Sequence, residues 1–214
     1  MKRTFLYILA ALLAASCKNS SVQNNKSEGD KPVITVTIEP LRYFTEAIAG
    51  DNFNVISMVP KGSSPETYDP TPQQLVDLAK SKAYFRIGYI GFEQTWMDKL
   101  TDNAPHLQFF DTSRGIDLIY DSSHAHHHHD ADEPHAHDSI QDDEHQHLLG
   151  VEPHVWSSAY NAQIIAGNIV NALCAIDKGN EEVYMERYKS LCNQIEHTDS
   201  LICHMLSAPN ADRA

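Results

Sequence analysis

Basic residues are scarce in this chain. Sixteen Lys and Arg stand against twenty-nine Asp and Glu, a formal charge of −13 at pH 7. That balance excludes the positive footprint of a nucleic-acid-binding protein. Long apolar runs are lacking as well. The N-terminal stretch Phe5–Ala15 is uncharged and apolar for eleven residues, short of the ~20 that a bilayer-spanning helix needs. Cysteine is sparse, with four in 214 residues. Cys192 and Cys203 lie eleven residues apart on one helical segment, or ~16 Å along its axis. A disulfide needs Cα atoms within ~7 Å, so that pair cannot bridge. Cys174 could meet either of them, but small buried thiols suit the helical context better. The familiar hydrolase signatures, His-Glu-x-x-His and Gly-x-Ser-x-Gly, do not occur, which argues against an enzyme. With ten Pro, nine Gly and 42% hydrophobic residues, the chain is neither collagen-like nor wholly disordered.

Histidine is what the sequence has in excess. Ten of its thirteen His fall between His124 and His154. The stretch from His124 to His147 holds nine His and seven acidic residues among twenty-four, with Ile140 its one large apolar residue. Such a segment cannot form a core and reads as a surface loop over about 122–147. Its histidines are His124, His126, His127, His128, His129, His135, His137, His145 and His147. At an ordinary pKa of ~6.5, roughly three-quarters of such imidazoles are neutral at pH 7. Neutral imidazoles beside carboxylates suit Zn²⁺, and also Ni²⁺ or Cu²⁺, better than Mg²⁺ or Ca²⁺. The bland alternative is an inert polar insertion or a leftover tag. A tag would be a clean terminal His run, whereas this stretch is internal and interleaved with Asp and Glu.

The N-terminus reads as a targeting segment. Lys2 and Arg3 precede the apolar run, and Leu13-Ala14-Ala15-Ser16-Cys17 closes it with small residues and a Cys. Residues 1–16 are therefore taken as a lipoprotein signal peptide and Cys17 as the lipidated residue. Residues 17–32, polar and Ser/Asn-rich, form a flexible tether. From Val33 the pattern is α/β. Strands are expected over 33–38, 53–59, 83–87 and 107–110, and helices over 41–49, 72–80 and 92–100. Strands alternating with helices predict a four-stranded, mainly parallel sheet with flanking helices. Helices over 159–176 and 181–206 follow. The second is long and amphipathic, with Tyr184, Tyr188, Leu191, Ile195, Ile202 and Leu206 on its apolar face.

Two further segments carry candidate ligands. Pro65, Pro70 and Pro72 stiffen a loop at the carboxyl end of the second strand, where open α/β sheets present ligand groups. Glu66 sits in that loop, with Tyr68 able to pack behind it. His154 follows Pro153 just before a helix capped by Ser157 or Ser158, so its position is fixed. Alone, Glu66 could be a solvated loop acid and His154 a structural histidine.

Together these segments resemble the zinc/manganese solute-binding proteins of ABC importers, the cluster A-I or cluster 9 family. Pro65-Glu66-Thr67-Tyr68-Asp69-Pro70-Thr71-Pro72 is similar to that family's Pro-His-x-Tyr-x-Pro-x-Pro loop. Glu152-Pro153-His154-Val155-Trp156 is similar to its Asp-Pro-His-x-Trp motif. Gly91-Phe92-Glu93 with Trp96 resembles a family helix start, and the His-rich insertion resembles that of the zinc-specific members. The likeness spans about 33–206.

The resemblance implies a lipid-anchored extracytoplasmic receptor on the periplasmic or cell-surface side of a bacterial membrane. Such a receptor captures zinc, or manganese in its place, and hands it to a membrane permease. Glu66 and His154 would be ligands, with an oxygen where the family has its first His nitrogen. The resemblance also implies an N-terminal lobe over 33–178 and a linking helix over 179–208. A third His and an acidic ligand would come from a C-terminal lobe, expected to be absent from these 214 residues. A His-rich storage protein or an adhesin on the same scaffold is the alternative.

Overall fold

The computed structural model describes residues 31–120 and 150–207. The expected signal segment, Cys17, nearly all of the tether and the whole His-rich stretch lie outside the described residues, as does Pro209.

Four short strands form the sheet: β1 (Val33–Val36), β2 (Asn54–Ser57), β3 (Ala83–Arg86) and β4 (Gln108–Asp111). Their order is β2-β1-β3-β4 and every pairing is parallel, so the expected sheet is found. Ile34, Thr35, Val36, Ala83, Tyr84 and Phe85 are all buried. Such two-sided burial is typical of parallel strands covered by helices on both faces.

Each crossover carries a helix. These are α1 (Glu39–Ala49), α2 (Pro72–Leu78) and α3 (Gly91–Asn103). From β1 the chain steps outward to β2, then back past β1 to β3. With right-handed crossovers, that reversal places α1 on one face and α2 and α3 on the other. The carboxyl ends of β1 and β3 therefore flank the topological switch point, where such sheets bind ligands.

Two more helices complete the unit: α4 (Ala159–Ile176) and α5 (Glu181–Leu206). Both pack with α1. α4 is long and apolar enough to cross a membrane, yet Ile165, Ala166, Ile169, Val170 and Leu173 are buried in the core. It is a core helix. The start signals read in the sequence are at work. Thr71 accepts from the Gln74 N–H while Gln74 returns a bond to Thr71, a reciprocal capping box. Ser158 caps α4.

α5 differs from expectation in its second half. Tyr184 and Leu191 are buried, and Tyr188 and Ile195 are half-buried. Ile202 and Leu206 are 45% and 70% exposed. The apolar stripe continues along the helix, but α1 and α4 cover only its first half. Cys174, Cys192 and Cys203 are free thiols, and Cys203 is exposed rather than buried.

Candidate metal-binding cleft

The loop after β2 is tied to α3 at four points. The Phe92 N–H donates to Pro65 O (2.9 Å) and the Gly91 N–H donates to Glu66 Oε2 (2.9 Å). Trp96 Nε1 donates to Asp69 Oδ1 (3.2 Å), and the Tyr68 ring lies 6.1 Å from that of Phe92. The first N–H groups of a helix have no intrahelical acceptor. Pro65 and Glu66 supply acceptors to two of them on α3. Gly91 is required for this approach: a Cβ there would lie 2.5 Å from Glu66 Oε2 and 2.8 Å from its backbone O.

Glu93, two residues on, anchors the same helix start from inside. It is 1% exposed and accepts from Ile87 N–H (2.9 Å), Gly88 N–H and the Thr37 hydroxyl. Thr37 in turn contacts the Tyr84 hydroxyl (2.9 Å). The Gly88 N–H faces the carboxylate from a turn with φ of 98°, a conformation natural only to glycine. One buried carboxylate thus joins the ends of β1 and β3 to α3. Burial pushes the Glu93 carboxyl above its usual value, while the bonds from Thr37, Ile87 and Gly88 oppose that rise.

His154 is held from the other side. An antiparallel bridge pairs Val151 with Tyr120, and the Glu152 N–H donates to Ile119 O (2.9 Å). His154 then opens a single 3-10 turn, Val155–Ser157, that leads into α4. Its backbone N–H and its Nδ1 both bond Glu152 Oε1, at 3.0 and 2.5 Å. A carboxylate acceptor on Nδ1 is the kind of partner that orients histidine rings in metal sites. Its bonds to His154 hold the Glu152 carboxyl below the usual range. The His154 ring lies 5.1 Å from Trp156.

These two loops share a cleft of about 190 Å³ at the carboxyl ends of β1 and β2, lined by Ile38, Pro40, Val59, Pro65 and Trp156 among others. Pro65 precedes Glu66, and Trp156 lies two residues past His154. The structure thus brings the two candidate loops to one cleft, although neither Glu66 nor His154 lines it directly. Among the described residues, no group of three or more His, Cys, Asp or Glu is placed to hold a metal ion. Glu66 and His154 stand on separate supports, the loop tied to α3 and the turn that leads into α4. The nine loop histidines and Cys17 lie outside the described residues.

Residues 34–214 match the family described as zinc-uptake complex component A, periplasmic. The chain belongs to this family. It is 29% identical over 201 residues to the high-affinity zinc uptake system protein ZnuA of Bacillus subtilis, spanning 92% of this chain and 59% of that one. It is 30% identical over 197 residues to the iron ABC transporter substrate-binding lipoprotein MtsA of Streptococcus pyogenes, spanning 89% and 56%. A crystal structure of a ZnuA deletion mutant with zinc bound superposes with a TM-score of 0.69 at 28% identity, over 84% of this chain and 60% of that one. The chain therefore spans little more than half the length of the curated relatives it matches.

In the sequence Gly91 and Glu93 stand out only as part of a helix-start motif, with no role of their own at the site. Their signal was a Gly two positions before an acid at a helix start. Glu152, two residues before His154, was also legible as its orienting partner.

Proposed function

We propose that this chain is the metal-capturing N-terminal lobe of an extracytoplasmic receptor. It takes up zinc, with manganese as the alternative cargo, and delivers it to the permease of an ABC importer. The observation that carries this reading is the convergence of the Glu66 and His154 loops on one cleft at the carboxyl ends of β1 and β2. An imidazole oriented through Nδ1 can offer its other nitrogen to zinc, and a carboxylate oxygen serves zinc and manganese alike. Family membership supports the transport role. Relatives named for zinc, iron and manganese transport, the last being PsaA of Streptococcus anginosus, support a divalent transition metal as cargo.

In this reading Cys17 carries the lipid that keeps the protein at the outer side of a membrane. The histidines from His124 to His147 act as an accessory zinc reservoir. The chain performs no chemistry on its cargo. Domain boundaries follow: signal over 1–16, tether over 17–32, lobe from 33 and the long helix after 178.

The test uses Trp156, whose ring neighbours His154 and lines the cleft. Zinc titrated into the full chain should change its emission, and Trp156→Phe assigns that change to the cleft. His154→Ala should weaken the midpoint tenfold or more. An unaltered midpoint in His154→Ala would refute the cleft as the binding site.

A further inference from the structure

The apolar seam of α5 outlasts its partner helix. Tyr188, Leu191, Ile195, Thr198, Ile202 and Met205 recur at alternating spacings of three and four, the repeat with which one helix packs along another. α4 covers the first part of this seam as an antiparallel neighbour. Gly167 faces Tyr188, and Gln163 Nε2 donates to Glu196 Oε1 (3.5 Å). α4 begins at Ala159, so it has no residue to set against α5 beyond about Ser200. Exposure follows that limit: Leu191 is buried and Ile195 half-buried, while Met205 is 63% exposed.

The seam runs out of its partner beside a groove of about 500 Å³. Ile195 and Ile202 form one wall, and Tyr43 and Phe44 of α1 with Trp156 form the other. Asp199 is the one ionised residue in the lining, so an occupant has to be mainly apolar. The α5 tip meets that requirement: from Ser200 to Leu206 it carries no Lys, Arg, Asp or Glu.

We propose that a second copy of this chain occupies the groove. The two α5 helices pair antiparallel about a two-fold axis near Ser200, and each copy's Met205 and Leu206 enter the other's groove beside Ile195. The seam that packs on α4 within one chain thus continues on α5 of its partner. Each copy gives the same tip and receives it in the same groove, so the assembly closes at two. The formal charge of −13 opposes association, but salt confines that repulsion to ~8 Å under physiological conditions. The pair therefore forms by mass action and comes apart on dilution.

The experiment is sedimentation equilibrium of the full chain, with reductant present because Cys203 is an exposed thiol. The mass should be twice that of one chain at ~100 µM and that of one chain at ~1 µM. Ile202→Glu, on the seam, and Tyr43→Glu, on the opposite groove wall, should each hold the mass at one chain at the higher concentration. Ser200→Glu, on the far side of α5, should leave the pair intact. At the lower concentration all three variants should melt with the wild type, since these side chains are exposed in the single chain. A wild type of single-chain mass at the higher concentration would overturn the proposal. So would a pair that survives Ile202→Glu or Tyr43→Glu, or a mass that grows beyond two chains.

Discussion

Glu93 is an acid with 1% exposure, faced by two backbone N–H groups and one hydroxyl. Burial disfavours its charged form, so its carboxyl titrates above the usual range, the donors and nearby Arg86 opposing the shift. The sign of the pH effect follows. Between the unfolded value of ~4.3 and the raised folded value, the native state holds more protons than the unfolded state. Stability from this residue is therefore fully present below ~4.3 and declines as pH rises through the folded value. Glu93→Gln removes the titration and turns one acceptor into a donor facing an N–H, which should cost about 1–3 kcal/mol. In urea unfolding across pH, the wild type's margin over Glu93→Gln should shrink as pH rises. A margin that grows with pH would mean that the three bonds outweigh burial. In the sequence Glu93 was one letter of a motif, because burial is a property of the assembled sheet ends. The fixed backbone at Glu66 and His154 is legible in the sequence, since each follows a proline.

At the scale of elements, α5 shows what periodicity reports and what it leaves out. Its apolar residues were read as one stripe from Tyr184 to Leu206, and the stripe exists. Periodicity marks a face but says nothing of what covers it. The first half packs on α1 and α4, where the Tyr184 hydroxyl donates to Asp177 Oδ2 (2.6 Å) and accepts from Asn52 (3.0 Å). Arg187 also reaches back to the Ala49 carbonyl at the end of α1 (2.8 Å). Energetically this half belongs to the lobe, although a boundary at 178 would assign it to a linker. Leu191→Ala should therefore cost about 2–5 kcal/mol, as for a buried leucine truncated in a core. Ile202→Ala should stay within about 0.5 kcal/mol, as for an exposed site. Equal costs in denaturant unfolding would contradict this division of the helix. The strands were legible to within a residue or two for a related reason. Thr37 lies past the end of β1, yet its N–H still bonds Phe85 O and its carbonyl still accepts from Val59. The pattern of buried β-branched residues therefore outlasts the strand itself.

At the scale of the whole molecule, the proposed function separates two fixed candidate donors from a dense supply of others. Glu66 and His154 are each held by a neighbour, Gly91 or Glu152. The stretch from His124 to His147 offers nine imidazoles in twenty-four residues, with close pairs such as His124-x-His126 and His135-x-His137 and no positional constraint legible in the sequence. Three to four imidazoles per zinc would let that stretch hold about two or three ions. Ordering a segment around each ion costs conformational entropy, so these equivalents should be weaker per ligand than a preformed site. Deleting 124–147 should then lower the zinc retained after dialysis by about two or three equivalents per chain, counted by elemental analysis. The Trp156 signal and its midpoint should persist, because the cleft depends on the bridge at Val151 and on the ties between the Glu66 loop and α3. Unchanged stoichiometry would remove the histidine stretch as a reservoir. Loss of the Trp156 response on deletion would instead make a loop histidine a ligand of the cleft, supplying the third donor that Glu66 and His154 lack among the described residues.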